Sequence, residues 1–258
     1  MLPTRLTAVS AILALALGVG CKDKASKAGV SEKQESNSPW QNLHPGVHYQ
    51  FFESLPSNEE ARLHVLSVEL SEAKFTAIDA KVSPLRVGEM AKRNQGVFFI
   101  NGTFFDPDKK PLGLLLDDDQ VLNPLRKADW GVFRVTDAGV EIVHTNEYQE
   151  LPKTEFAIQC GPRVVIDGQV PRLKPQGARR RSGLCVRSPK VALVFASEGL
   201  LTTKAMGDFL ASKQGLGCKD AMLLDGGPST QAFLRTKSDP INVVGLYPVP
   251  NGVAVEIR

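Results

Sequence analysis

Short apolar runs separated by turn-forming residues dominate the chain from about residue 40 onward. Runs typical of β-strands cover residues 62–70, 73–79, 97–100, 131–135, 140–144, 156–160, 163–166, 184–187, 190–196, 221–224 and 253–257. Turn residues predict hairpins over residues 112–122, 131–144 and 184–196, and Asp167-Gly168 is a strong hairpin signal after residue 166. The pattern therefore predicts a strand-rich domain.

Two segments show the apolar period of a helix. Residues 84–95 repeat near every 3.6 residues and are followed by Gly96, while residues 202–214 place their apolar side chains on one face. Thr202 or Thr203 can cap the second helix and Gly215 can end it. Because helices and strands do not alternate regularly, we expect an α+β fold with a mixed, mostly antiparallel sheet and a few packed helices.

The N-terminal segment has the pattern of an export signal. Arg5 precedes an apolar run over residues 6–20, which is shorter than the roughly 20 residues that span a membrane. The run ends in Gly18-Val19-Gly20-Cys21, which resembles a bacterial lipoprotein cleavage site. Residues 1–20 are therefore predicted to be a lipoprotein-type signal peptide and Cys21 the lipidated first residue. Plain secretion, with Cys21 unmodified, is the alternative.

The next segment lacks the apolar residues of a folded domain. Residues 21–39 are rich in Lys, Ser, Glu, Gln and Asn and cannot bury enough surface to offset their ordering entropy. We therefore predict a flexible tether over 21–39 and one folded domain over 40–258. Together these expectations describe an exported, membrane-anchored lipoprotein of the bacterial cell envelope.

Composition narrows the function classes. With 42% hydrophobic and 23% charged residues and a net charge of +3, the 258-residue chain is neither disordered, collagen-like nor a coiled coil, and its charge is too even to indicate nucleic-acid binding. After Cys21, Cys160, Cys185 and Cys218 allow at most one internal disulfide, and no C-x-x-C pair suggests zinc. Buried, unbridged thiols are slightly favoured over a disulfide.

Three segments share a pattern suited to a binding site. In each, an apolar strand ends in polar residues and glycine: Asn101-Gly102-Thr103, Gln159-Cys160-Gly161 and Asp225-Gly226-Gly227. Buried strands fix the position of the residues after them, and glycine lets a backbone approach a ligand closely. Ordinary turns would also explain each segment taken alone.

Two charge clusters have both a functional and a structural interpretation. Residues 179–181 are three consecutive arginines, which form either an anion clamp or a solvated loop. The three aspartates at 117–119 form either a cation site or, as we favour, a tight turn. No G-x-S-x-G serine-hydrolase motif and no phosphate-binding loop motif occurs in the sequence.

Four motifs in order resemble the phosphodiester glycosidase family. They are Asn101-Gly102-Thr103-Phe104-Phe105, Gln159-Cys160-Gly161-Pro162, Arg181-Ser182-Gly183 and Leu224-Asp225-Gly226-Gly227-Pro228-Ser229. The resemblance extends over about residues 40–258. It implies hydrolysis of a sugar C1–O–P link at the sugar side, through an oxocarbenium-like transition state assisted by a carboxyl group.

The resemblance also implies site residues and leaves two rival functions open. Asp225 is the first catalytic candidate and Glu198 the second. The substrate-binding candidates are Asn101, Gly102, Gln159, Arg163, Arg181, Gly226, Gly227 and Ser229, with the two arginines on phosphate. One rival is a non-catalytic lipoprotein that binds envelope glycans. The other is a metal-dependent phosphodiesterase using Asp106, Asp225 and Asp108. No cofactor is certain, but a divalent cation remains open.

Overall fold

The computed structural model describes residues 39–56 and 58–258, which all belong to one unit by their contacts. The predicted signal peptide, Cys21 and residues 21–38 of the predicted tether lie outside the described residues. None of the helices in the described part of the chain is long and apolar enough to cross a membrane.

The described residues form seventeen strands and two α-helices. The strands are β1 Gln41–His44, β2 Val47–Phe52, β3 Leu63–Glu69, β4 Ala73–Asp79, β5 Phe98–Asn101, β6 Leu115–Asp117, β7 Gln120–Asn123, β8 Gly131–Thr136, β9 Gly139–His144, β10 Thr154–Cys160, β11 Arg163–Val165, β12 Ser182–Ser188, β13 Val191–Ser197, β14 Asp220–Leu223, β15 Ala232–Leu234, β16 Ile241–Val243 and β17 Asn251–Ile257. The helices are α1 Val87–Arg93 and α2 Thr203–Ala211. Short 3₁₀ turns cover Thr145–Glu147 and Gly227–Ser229.

The strands form three sheets. Sheet I has the order β1-β2-β3-β13-β12-β14-β11, sheet II the order β7-β6-β10-β8-β9 and sheet III the order β16-β15-β5-β17-β4. Every pairing between these strands is antiparallel. The prediction of mostly antiparallel sheet is therefore confirmed, but no pairing between these strands is parallel, and the fold is dominated by sheet with two short helices.

One buried core joins the three sheets. Phe75 of sheet III meets Phe133 and Phe156 of sheet II, with ring centroids 5.1 and 5.7 Å apart, and the same cluster includes Val194 of sheet I. The outer face of sheet I packs against α2, and that of sheet III packs against α1. Since side chains alternate across a strand, continuously apolar strands such as β13 can serve two cores at once.

Both predicted helices exist but are shorter than expected. The α1 helix begins only after Arg86, which is extended and donates its backbone N–H to Glu89, while Leu85 pairs with Val249. The α2 helix has the predicted cap, since Thr202 Oγ1 accepts the N–H of Ala205 at 3.1 Å. It ends four residues before Gly215, because the backbone is already extended at its C-terminal cap, Ser212.

Turn chemistry explains two further outcomes. Asp118 and Asp119 have φ values of 47° and 58°, as a two-residue hairpin turn requires. The aspartate cluster therefore forms the tight turn that the sequence analysis favoured over a cation site. The Asp167-Gly168 signal predicted a hairpin after residue 166. That prediction is wrong, because the residues that follow the turn do not pair with β11 as a second strand. The turn closes with a single bridge between Ile166 and Gln169, and β11 pairs with β14 instead.

The preference for unbridged thiols is wrong. Cys185 of β12 and Cys218, which follows α2, form a disulfide across 33 residues of sequence, and Cys160 is the free, buried thiol among the described cysteines. All three sulfur atoms are buried, as expected, but tertiary folding brings two of them together.

The disulfide should contribute measurably to stability. Replacing both Cys185 and Cys218 by Ala should lower the free energy of unfolding by about 2–4 kcal/mol, because the unfolded chain regains the entropy of an open loop. Urea unfolding with and without a reductant measures this. The reductant should destabilise the wild-type protein and leave the double variant unchanged; equal stability of the oxidised wild type and the variant would contradict the prediction.

Candidate functional site

Strand ends from all three sheets meet at one end of the domain. β5 of sheet III ends at Asn101, β10 of sheet II ends at Cys160, and β14 of sheet I ends beside the start of β12, where Leu223 pairs with Gly183. The four motifs follow or begin these strands. The structure thus brings together segments that lie more than 120 residues apart in sequence, such as Asn101 and Asp225.

The backbone of Asp225 is held from three directions. Its carbonyl oxygen accepts hydrogen bonds from Asn101 Nδ2 at 2.7 Å and Ser182 Oγ at 3.2 Å, and its N–H donates to the carbonyl of Gly102 at 3.1 Å. A Cβ atom on Gly102 would lie 1.9 Å from Asn251 Oδ1, so only glycine permits this close packing. These contacts fix the direction in which the Asp225 carboxyl group leaves the backbone.

The carboxyl group of Asp225 is largely buried and its pKa is raised. Burial is the dominant cause, while hydrogen bonds from the Ser229 side chain and the Gly226 N–H, together with the charge of Lys109, act in the opposite direction. A carboxyl group with a raised pKa is suited to proton transfer near neutral pH. Asp225 therefore has the environment of a general acid or base.

Arg181 is a buried cation without an acidic partner. It is 5% exposed, and its guanidinium donates to the carbonyls of Leu201 at 2.9 Å and Gly177 at 3.0 Å, with Gln176 Oε1 at 3.5 Å. No carboxylate in residues 39–56 and 58–258 lies within ion-pair distance of it. Burial and the nearby Arg179 lower its pKa, although arginine stays charged.

Arg181 lies beside the Asp225 loop with hydrogen-bonding capacity to spare. A guanidinium has five N–H groups, and three of them are engaged here. A Cβ atom placed on Gly226 would lie 3.8 Å from Arg181 Nη1. A buried cation with free N–H groups beside the Asp225 loop can bind an anion such as a phosphate.

The two glycines after Asp225 shape the loop. Gly227 has a φ of +60° and donates its N–H to the Arg180 carbonyl at 2.8 Å, which holds the loop against the arginine segment. Ser229, in the 3₁₀ turn after these glycines, is buried, and its hydroxyl interacts with Asp225 and lies 3.5 Å from Tyr247 Oη. Gly226 and Ser229 therefore act on Asp225 directly, while Gly227 holds the loop against Arg180.

Asn101 and Gln159 are placed differently from the prediction of substrate contact. Both are fully buried. Gln159 Oε1 accepts the N–H groups of Leu114 and Arg126, and its Nε2 donates to Arg126 O and Thr145 Oγ1, which uses every hydrogen-bonding position of the amide. Both side chains therefore position the motif backbones and do not face a ligand.

Glu198 is engaged away from Asp225. Its carboxylate accepts a hydrogen bond from His64 Nε2 at 2.9 Å and lies 3.8 Å from Arg62 Nη1. The charge of Glu198 acts on His64 and on Arg180. The structure thus separates the two catalytic candidates, and only Asp225 occupies the motif cluster.

Two residues at the site carried no sequence signal. Lys109 lies over the rings of Phe105 and Tyr247, 4.6 and 5.0 Å from their centroids, and acts electrostatically on Asp225. Lys109 belongs to a turn and Tyr247 to a loop, where no periodic pattern marks a position. Their proximity to Asp225 follows only from how β5 and β17 pair in sheet III.

A cavity of about 430 Å³ adjoins the motif cluster. We call it the Trp130 cavity; its lining residues include Phe104, Trp130, Arg163, Arg172, Lys174 and Gln176. Phe104 belongs to the first motif, and Gln176 also contacts Arg181. The cavity therefore lies between the predicted phosphate ligand Arg163 and the buried Arg181.

A larger cavity, of about 740 Å³, lies elsewhere. It is formed by the turns that join β3 to β4, β8 to β9 and β12 to β13, and the last of these turns lies at the end of β12 opposite its motif. We place the candidate site at the Trp130 cavity, because Phe104, Gly161 and Pro162 of the motifs line it and because Gln176 in its wall contacts the buried Arg181.

The residues present do not fit a divalent cation at Asp225. Among the residues that the structure describes, no three His, Cys, Asp or Glu side chains come together as metal ligands. Asp106 is occupied as a turn cap, accepting the Lys110 N–H at 2.9 Å, and the charged group that acts on the Asp225 carboxyl group is the cation Lys109. The ligand set of a metal-dependent phosphodiesterase is not assembled.

Comparisons with known proteins give the same fold. The chain resembles the zebrafish N-acetylglucosamine-1-phosphodiester alpha-N-acetylglucosaminidase catalytic domain, which is auto-inhibited by its pro-peptide, with 14% identity, a TM-score of 0.67 and coverage of 86% of this chain and 88% of that chain. A hypothetical protein from Synechocystis aligns at 14% identity and a TM-score of 0.58, over 86% of this chain and 64% of that one. No curated protein sequence matches the chain significantly.

A third solved structure and a family profile complete the comparison. A protein from Burkholderia pseudomallei, described as exported, aligns at 11% identity and a TM-score of 0.54, over 76% of this chain and 74% of that one. The phosphodiester glycosidase profile matches residues 94–256, well over half of the chain and a span that includes all four motifs. The protein therefore belongs to the phosphodiester glycosidase family.

Proposed function

We propose that the protein hydrolyses a sugar–phosphate diester at the glycosidic side, between sugar C1 and the bridging oxygen. Family membership supports a hydrolase function at a general level. The observation that carries the proposal is that the loop of Asp225, a carboxyl group with a raised pKa, lies beside Arg181, a buried arginine that has no acidic partner among the described residues. Together they supply a proton-transfer group and an anion ligand.

Asp225 acts as the general base. Its carboxylate form is maintained by hydrogen bonds from Ser229 and Gly226, while burial keeps its pKa high enough to accept a proton. Water attacks C1, its proton passes to Asp225, and the C1–O bond breaks with its electron pair remaining on the phosphate oxygen. The hydrogen bonds to the Asp225 backbone hold the carboxylate in place for this step.

Arg181 stabilises the departing phosphate. Two N–H groups of its guanidinium have no partner within the described range, and a planar fork matches two phosphate oxygens. The guanidinium of Arg181 thus stabilises the negative charge that develops on the leaving oxygen. It does so in a site of low dielectric, where electrostatic contacts are strong. A phosphate leaving group stabilised in this way does not need a second carboxylic acid, which agrees with the separation of Glu198 from Asp225.

Oxygen-18 water tests the position of the cut. A purified sugar 1-phosphodiester is hydrolysed in labelled water, and both products are analysed by mass spectrometry. Label in the sugar supports the proposal. Label in the phosphate would overturn it in favour of a phosphodiesterase, and absence of turnover over a panel of sugar phosphodiesters would favour a glycan-binding protein.

We also propose that the protein acts outside the cytoplasm, on an envelope or extracellular glycan. The Cys185–Cys218 disulfide is typical of oxidising compartments, and the Burkholderia protein of similar fold is described as exported. The predicted signal peptide and lipidated Cys21 would anchor the enzyme to a membrane. The mass of the mature N-terminal peptide tests this: a diacylglyceryl-modified Cys21 is expected, and an unmodified Cys21 or a different first residue would refute the anchor.

A further inference from the structure

The Trp130 cavity has the shape and the aromatic wall of a sugar-binding pocket. The rings of Phe104 and Trp130 lie 5.1 Å apart at an angle of 55°. Trp130 is fixed by its neighbours: its carbonyl accepts both the N–H and the hydroxyl of Thr145 at 3.0 Å, and a Cβ atom on Gly161 would lie 2.8 Å from its ring. A rigid, half-exposed indole can stack on the apolar face of a sugar ring.

The same cavity contains three cations that form no close ion pair with a described carboxylate, although Arg163 acts electrostatically on Asp220. Arg163, Arg172 and Lys174 line it, and no carboxylate of the described residues lies within ion-pair distance of any of them. The one acidic residue in the lining, Asp129, is fully exposed and lies 3.1 Å from His144 Nε2. The cavity therefore presents an excess of positive charge beside its aromatic wall.

The proposed reaction needs one cation, Arg181, and the three cations of the cavity are additional to it. The scissile phosphate is assigned to Arg181, which is not part of the cavity wall but contacts Gln176, which is. A substrate with a neutral sugar would fill the cavity and leave three charges unmatched. A sugar with an acidic group of its own would match them.

We infer that the Trp130 cavity selects an acidic sugar, so that the substrate carries a negative group on the sugar in addition to the scissile phosphodiester. This inference rests on the proposed function. The acidic group is either a sugar carboxylate or a second phosphate, since arginine and lysine bind both. Trp130 and Phe104 hold the ring, and Arg163, Arg172 and Lys174 bind the acidic group.

Three substrates with one leaving group test the inference. The methyl phosphodiesters of glucose, glucuronic acid and 6-phosphoglucose, each linked through C1, differ only in the group on the sugar. We expect the wild-type kcat/KM to be about ten- to a hundred-fold higher for at least one acidic substrate than for the glucosyl compound. A preference between the two acidic compounds distinguishes carboxylate from phosphate.

A charge variant and a matched control complete the experiment. Arg172→Gln with Lys174→Gln removes two exposed cations of the cavity, and Lys92→Gln with Arg93→Gln removes the same two residue types from the exposed surface of α1. The first variant should reduce the ratio of acidic to neutral kcat/KM by about tenfold or more. The control should retain the wild-type ratio.

The outcomes separate the inference from the proposed function. Turnover of all three substrates with no acidic preference, or a preference that the cavity variant retains, overturns the inference and leaves the proposed reaction intact. If none is hydrolysed, the proposed reaction fails for these compounds, and calorimetric binding of glucose 1-phosphate and glucuronic acid 1-phosphate is compared instead. Equal affinities, or a difference that the cavity variant retains, then overturn the inference.

Discussion

Asp225→Asn should lower turnover by about 10²–10⁴-fold, because the amide cannot accept the proton of the attacking water. Wild-type kcat/KM should also fall as the pH decreases through the pKa of Asp225, above the usual range of an aspartate. That acidic limb should be absent from the residual activity of the variant. Initial rates between pH 4 and pH 9 measure both effects.

The same substitution should increase stability at neutral pH. The pKa of Asp225 is raised in the folded protein, so its favourable contribution is complete below the unfolded pKa of about 3.9 and is lost as the pH rises through the folded pKa. Near pH 7 the buried carboxylate therefore lowers stability, and Asn, which is neutral and still accepts a hydrogen bond, relieves this. The Tm of the variant should exceed that of the wild type at pH 7 and converge with it at low pH.

Asp220→Asn is the matched control. Asp220 lies at the other end of β14, its pKa is also raised by burial, and it accepts the Asp167 N–H at 3.1 Å. It should retain wild-type turnover. If Asp225→Asn instead lowers Tm at pH 7 and leaves activity per folded molecule intact, Asp225 is structural and the proposed mechanism is wrong.

Arg181→Lys should weaken substrate binding by roughly ten- to a hundred-fold, since the ammonium group keeps the charge but cannot form the two parallel hydrogen bonds of a guanidinium. KM should rise more than kcat falls. A decrease in Tm is also expected, because the hydrogen bonds to the carbonyls of Leu201 and Gly177 are altered.

Phosphate binding distinguishes an anion ligand from a structural arginine. Inorganic phosphate should raise the Tm of the wild-type protein in a concentration-dependent manner, and Arg181→Lys should reduce that increase. Arg187→Lys, at the exposed far end of β12, the strand that begins directly after Arg181, should leave this increase unchanged. A variant with lower Tm but an undiminished response to phosphate would show that Arg181 only supports the loop.

The local pattern was enough to predict most strands and both helices. The observed ranges lie within one or two residues of the predicted ones for the strand Ala73–Asp79 and for the hairpin of β8 and β9. These elements were predictable because apolar runs and turn residues are both visible in the sequence. The hairpin of β1 and β2 and the short strands β15 and β16 were missed; β1 and β16 contain polar or exposed residues, and β15 has only three residues. Both helices were predicted to be too long, because the backbone at their ends is extended although the periodic apolar pattern of the sequence continues.

The site was predictable in its members but not in their roles. The motifs predicted that Asn101, Arg181 and Asp225 lie together, and Asn101 Nδ2 does donate to the Asp225 carbonyl. The prediction of the family is confirmed. Gln159, however, uses its whole amide on backbone groups and the Thr145 hydroxyl, and Glu198 is bound to His64. Residue type alone does not distinguish a polar group that faces a ligand from one that supports a loop, because the two differ only in which partners surround them.

The sequence alone determined the strand-rich fold class, the position of the motifs at strand ends and the family, because these depend on the local order of apolar, polar and glycine residues. Only the tertiary structure decided the three-sheet arrangement, the Cys185–Cys218 pairing and the different partners of Asp225 and Glu198. The raised pKa of Asp225 and the unpaired charge of Arg181 also arise from burial among residues distant in sequence. Burial and charge pairing depend on neighbours in space, and those neighbours exist only when the three sheets close around one core.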